Sequence, residues 1–93
     1  MSKKVITIRC TKEQKRILKN VILEKNLTGE EVVEHILRVI RYYDFSSYKT
    51  LGETTISFRT NRDKEYREIY NKRKSQIDIN GTSVINALLF EIF

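Results

Sequence analysis

Two six-residue stretches constrain this chain more than anything else in it. They are Val5-Ile6-Thr7-Ile8-Arg9-Cys10 and, fifty positions further on, Thr55-Ile56-Ser57-Phe58-Arg59-Thr60. In each, apolar and polar residues change places at every step, the period of a strand with one buried face. Ile6, Ile8 and Cys10 fall on one side and Val5, Thr7 and Arg9 on the other; in the copy, Ile56 and Phe58 lie opposite Thr55, Ser57 and Arg59. Two short strands of this kind are expected to pair with each other. A two-stranded ribbon is at best marginally stable in water, so its apolar face needs cover from elsewhere in the chain.

The segments that follow each strand are suited to give that cover. Thr11-Lys12-Glu13-Gln14 has the form of a capping box, in which the Thr11 hydroxyl accepts the Gln14 amide and the Gln14 side chain returns to Thr11. A helix is predicted from there, with Ile17, Leu18, Val21 and Ile22 on its apolar side and Lys12, Lys15, Arg16 and Lys19 mostly opposite. The pattern breaks at Asn26-Leu27. A second box, Thr28-Gly29-Glu30-Glu31, opens another helix with a broad apolar stripe of Val32, Val33, Ile36, Leu37, Ile40 and Tyr43. From about Asp44 to Glu53 the periodicity disappears and Ser46, Ser47 and Gly52 mark a connection. About ten residues span up to roughly 35 Å when extended, enough to bring the second strand back beside the first. Phe45 and Tyr48 imply that this connection packs on the body of the domain.

The second half then repeats the first. Beyond the strands the offset is fifty-two: Ile17 matches Ile69, Leu18 Tyr70, Leu27 Ile79, Gly29 Gly81, Val32 Val84, Val33 Ile85, Ile36 Leu88, Leu37 Leu89 and Ile40 Ile92. Two residues are therefore inserted after the second strand, around Thr60 to Asp63. The repeat fails where Val21 and Ile22 meet Arg73 and Lys74, so the third helix must rely on Tyr66, Ile69, Tyr70 and Ile77. The expected organisation is a first unit at 1–43, a connection at 44–53 and a second unit at 54–93. The two share one core, since units this small seldom bury enough surface to fold alone.

Strand, capped helix, short turn and apolar helix, with an Ile-Thr-Ile-Arg strand and all of it duplicated, resembles the ribbon-helix-helix (Arc/MetJ-like) DNA-binding family. The two copies in one chain are similar to the tandem, TraY-like arrangement within it. The resemblance covers nearly the whole sequence apart from the connection. It implies a mainly α fold with a short β-ribbon, a tandem ribbon-helix-helix forming an intramolecular pseudo-dimer. It further implies a sequence-specific double-stranded DNA-binding protein whose antiparallel ribbon enters the major groove. A transcriptional repressor, or an accessory factor of a plasmid or other mobile element, is the expected role, with further self-association on adjacent DNA sites compatible with it.

Carried across residue by residue, the resemblance assigns base contacts to Val5, Thr7, Arg9, Thr55, Ser57 and Arg59. The chemistry suits them: arginine pairs with guanine O6 and N7, and threonine and serine serve several bases. Phosphate contacts are expected from Lys3, Lys4, Lys12 and Arg62, and from the starts of the second helix of each half, Thr28-Gly29 and Asn80-Gly81-Thr82-Ser83. Free amides and the positive helix end favour a phosphate there. Glu30 and Glu31 would repel a phosphate at the first of these unless they turn away; the second has no acid next to it.

The formal net charge of +6 and a pI near 9.6 suit a polyanionic partner. An apolar fraction of 40% with 32% charged residues lies within the globular range. One cysteine and one histidine supply neither a disulfide framework nor a zinc cage, so no metal and no cofactor is expected, and the setting is read as cytoplasmic. No signal peptide or membrane-spanning stretch is read, and no partner in the membrane. Without a phosphate-binding glycine loop, metal constellation or nucleophile motif, no catalytic residue is assigned and the chain is read as a non-enzyme. Cys10 is read as a core residue and His35 as a surface or interface one. Tyr42, Tyr43, Phe45 and Tyr48 are expected to pack on helices in preference to stacking on single-stranded bases. The basic face of Lys12, Lys15, Arg16 and Lys19 reads first as solvated. The alternative function is a protein-interaction module on the same fold, an inhibitor of a host enzyme or an antitoxin. The stop at Phe93, where an antitoxin would add a wrapping segment, is read against the latter.

Overall fold

The computed structural model describes residues 4–43 and 50–93. They form a mostly helical molecule with one two-stranded antiparallel sheet, in the order β1 (Lys4–Cys10), α1 (Lys12–Lys25), α2 (Gly29–Tyr42), β2 (Thr54–Thr60), α3 (Asp63–Lys74) and α4 (Gly81–Ile92). The strands pair Lys4 with Thr60, Val5 with Arg59, Ile6 with Phe58, Thr7 with Ser57, Ile8 with Ile56, Arg9 with Thr55 and Cys10 with Thr54. Their alternation is complete: Ile6, Ile8, Cys10, Ile56, Phe58 and Thr60 are buried, while Val5, Thr7, Arg9, Thr55, Ser57 and Arg59 are exposed. Thr60 is the polar exception inside, and its hydroxyl accepts the Arg62 amide at 2.9 Å.

Local chemistry sets the helix ends. Both boxes expected from the sequence form: Thr11 Oγ1 accepts the Gln14 amide at 3.0 Å and Gln14 Oε1 accepts the Thr11 amide at 3.0 Å. Thr28 and Glu31 do the same at 3.1 and 3.0 Å. Each such cap stabilises its helix by about 1 kcal/mol. The α1 terminus is Asn26 in the left-handed region (φ 54°), from which the Leu27 amide returns to the Ile22 carbonyl at 2.9 Å. Asparagine tolerates that backbone better than most residues, and the reversal turns the chain straight into α2. The insertion after β2 removes the matching box from α3, whose cap residue Arg62 makes no side-chain bond to the helix backbone. That helix also ends early, at Lys74, leaving a longer turn before α4.

The core lies between the inner face of the sheet and the helices. In α2, Val32, Val33, Ile36, Leu37, Val39 and Ile40 are all buried; α4 contributes Val84, Ile85, Ala87 and Leu88. Packing crosses the sequence. Helices α1 and α2 lie against β2, helices α3 and α4 lie against β1, and α2 and α4 pack on each other. Each strand therefore takes most of its helical cover from the other half.

Tyr43, the extended residue just past α2, is half-buried and packs against the core, as expected of it, with its carbonyl accepting Arg73 Nη2 at 2.6 Å. Val39, absent from the expected stripe, is fully buried, because α2 is covered on more than one side by β2, α3 and α4. Tyr42 is exposed, and not packed as expected. Phe45 and Tyr48 lie outside the described residues. Of the third-helix set, Tyr66 is buried and Ile69, Tyr70 and Ile77 pack against the core in part.

Candidate nucleic-acid interface

The outward face of the sheet brings together all six residues expected to meet bases. Thr7 and Ser57 sit opposite each other at its centre, their hydroxyl oxygens 3.0 Å apart. Arg9 faces Thr55 towards one end, and Arg59 faces Val5 towards the other. The two arginines thus stand at opposite corners, roughly 14 Å apart along strands that rise about 3.4 Å per residue. Val5, 47% exposed, is an apolar side chain in this polar face.

The helices reach the ends of the sheet closely. A methyl group on Gly81 would fall on the Arg9 carbonyl and lie 2.8 Å from the Arg9 nitrogen, so the start of α4 rests directly on β1. The start of α2 lies at the other end, where a methyl on Gly29 would meet the Arg59 carbonyl at 3.5 Å, ordinary contact distance. Only the first approach demands glycine. The last residues of the connection are also fixed. The Thr50 carbonyl accepts the Thr82 hydroxyl, and Glu53 Oε1 accepts the Lys12 amide at 2.8 Å.

The expected phosphate contacts fare unevenly. Lys4, the first residue of β1 and on the parity of its inner face, and Lys12, at the start of α1, are both exposed; Lys3 lies outside the described residues. At Thr28-Gly29 the nearby acid does not turn away: Glu31 is held on the Thr28 amide. Those bonds from Thr28 keep its carboxyl below the usual range, so it is charged at neutral pH. Asn80 is itself a capping residue, its Oδ1 accepting the Ser83 amide at 2.9 Å. Thr82 and Ser83, each 2% exposed, turn their hydroxyls inward, within reach of Asn80 Oδ1 and the Asn80 carbonyl at 2.5 and 2.7 Å. The hydroxyls are thus part of the cap, and Gly81 is half-buried beside Arg9.

Arg62 departs furthest from expectation. Its Nε and Nη2 donate to the two carboxylate oxygens of Glu65, both at 2.9 Å, and its Nη1 bonds Glu34 of α2. Those carboxylates raise its already high pKa, and Arg41 adds a fourth charge through Glu65 at 3.2 Å. The guanidinium ties α3 to α2 and is not free for a phosphate. Glu34 is 28 residues away in sequence, so nothing local announced the bond. Arg62→Ala is expected to lower stability by about 1 kcal/mol, the scale of a partly exposed network, which urea unfolding measures.

Among the described residues no group of three metal-ligating side chains gathers, and no helix is long and apolar enough to cross a membrane. Cys10 is fully buried, and its burial pushes the thiol pKa up. His35 Nδ1 lies 3.1 Å from Glu91 Oε2, across the α2–α4 contact. No protein-family model, no curated protein and no solved structure matches this chain.

Proposed function

We propose that the chain is a sequence-specific double-stranded DNA-binding protein, a tandem ribbon-helix-helix pseudo-dimer that lays its two-stranded ribbon in the major groove. The observation that carries this reading is the outward face of the sheet. Six exposed side chains are grouped about the Thr7–Ser57 pair, with an arginine towards each end. A two-stranded ribbon matches a groove about 12 Å wide. A separation of roughly 14 Å between the arginines corresponds to about four base-pair steps of 3.4 Å. The antiparallel register, symmetric about Thr7 and Ser57, supports a pseudo-twofold relation between the halves, as does the crossed packing of helices on strands. With that polarity, each arginine addresses a guanine in its own half-site. Lys4 and Lys12, both exposed, are the cations that would neutralise phosphates, and the starts of α4 and α2 approach the backbone of Arg9 and of Arg59. Occupying a groove in this manner occludes the site, which suits a repressor or an accessory factor at a mobile-element locus in the cytoplasm.

The test is a selection of bound sequences from a random duplex pool, followed by titration of the selected duplex at several salt concentrations. Affinity is expected to fall with salt at a log–log slope of about −0.9 per phosphate neutralised. Lys12→Ala should weaken all duplexes alike and flatten that slope by about one unit. No enrichment of any sequence, or a complex indifferent to salt, would overturn the reading in favour of a protein partner.

A further inference from the structure

The register of the ribbon gives each of its arginines a different neighbour. About the Thr7–Ser57 pair, Arg9 corresponds to Arg59 and Val5 to Thr55. The arginines match, and the central pair carries a hydroxyl on both strands. Val5 and Thr55 differ in kind, since one ends in carbon alone and the other adds a hydroxyl. Val5 stands directly opposite Arg59, and Thr55 directly opposite Arg9. Side chains so paired on one face have their Cβ atoms about 4.5–5.5 Å apart. All four are exposed, and Val5 is 47% exposed, so its isopropyl group belongs to the surface that any ligand of this face must cover. A lone exposed valine is ordinary. Its place beside Arg59, in the centre of a polar face, is what gives it a consequence.

Resting on the DNA-binding reading above, we infer that Val5 is a specificity-determining residue: it takes the C5-methyl group of a pyrimidine, thymine in unmodified DNA, beside the guanine read by Arg59, and so gives the site a direction. In the major groove the base edges offer donors, acceptors and one apolar group, that methyl. A valine pressed on a donor or acceptor strips its water and returns no bond, whereas against the methyl both partners lose apolar surface. Thr55 has a methyl and a hydroxyl and serves either kind of edge, so the position beside the Arg9 guanine is not held to thymine. Base pairs rise about 3.4 Å each, so two side chains about 5 Å apart fall within one or two steps of one another. The preferred duplex thus has a guanine in each half and the thymine in one half only. Such a sequence is not a palindrome, and a single chain lies on it in one orientation. Two copies of one strand could not make that distinction.

The experiment uses the full chain and the duplex that it selects from a random pool, with Arg9→Ala and Arg59→Ala showing which guanine each arginine reads. Wild type is expected to select a site without twofold symmetry, with thymine fixed near the Arg59 guanine. Uracil in place of that thymine removes only the methyl. It should weaken wild-type binding about three- to fivefold, the worth of one buried methyl group, and matter little to Val5→Ala. At the same place 5-methylcytosine should bind more tightly than cytosine by a similar factor, since the methyl is what Val5 touches. Exchanging the two neighbours tests the assignment by gain as well as loss, and each variant keeps a β-branched side chain on the strand. Val5→Thr should relax the thymine preference, and Thr55→Val should create one beside the Arg9 guanine. A palindromic selected site, or uracil and thymine bound alike by the wild type, overturns the inference while leaving DNA binding intact. If no sequence is enriched, or if neither arginine variant relaxes any base, the ribbon is not a reading face and the inference falls with it.

Discussion

Made as two fragments, 1–49 and 50–93, the chain is expected to show no cooperative unfolding transition in either piece and to recover helical structure and a melting transition when the pieces are mixed. The reason is the crossed packing, in which β1 is covered by α3 and α4, and β2 by α1 and α2. A lone fragment would keep one strand without a partner and two amphipathic helices without most of their cover, too little burial for a unit of this size. Circular dichroism of each fragment and of an equimolar mixture decides the matter. A cooperative melt from the 1–49 fragment alone, as a monomer, would mean that the core divides between the halves.

Leu88→Ala is expected to cost about 2–5 kcal/mol, a large share of the total for a domain of this length. Leu88 is 0% exposed on α4, in the one cluster that unites both strands with α2 and α4. Its removal leaves a void facing elements from both halves, and the melting temperature should fall by roughly 10 °C or more. Phe90, two residues along the same helix, is 78% exposed, and Phe90→Ala should stay within about 0.5 kcal/mol of wild type. Urea or thermal unfolding of both variants measures the contrast. Similar losses at the two positions would mean that the outer side of α4 is covered in solution.

The elements themselves were legible because the signals for them are local. Alternation in Val5 to Cys10 and Thr55 to Thr60 specified strands and their buried faces, and Thr11 to Gln14 and Thr28 to Glu31 specified helix starts with the bonds that form. Pairing β1 with β2 followed from a ribbon's need for a second strand. What escaped the sequence was set by contacts between distant residues. Glu34 reaches Arg62 from another helix, Gly52 holds Arg9 across 43 positions, and Thr82 turns inward because Thr50 and Asn80 supply acceptors there. The third capping box, Asn80 with Ser83, went unread because those residues were assigned to a phosphate. The apolar stripe of α2 runs one residue past the helix end to Tyr43, which packs on the core from an extended backbone.

The pairing of β1 with β2 also bears on how the chain is born. Ribosomes add about 5–20 residues per second. β1 emerges early, yet its strand partner begins at Thr54 and its helical cover, α3 and α4, at Asp63 and Gly81. For several seconds Ile6, Ile8 and Cys10 have nothing to pack on, while α1 and α2 can form only as loose, transient helices. This packing leads us to expect that stable folding waits until α4 has been made. A truncated translation product lacking α4 would leave β1 without the helix that starts against Arg9 and is expected to stay unfolded.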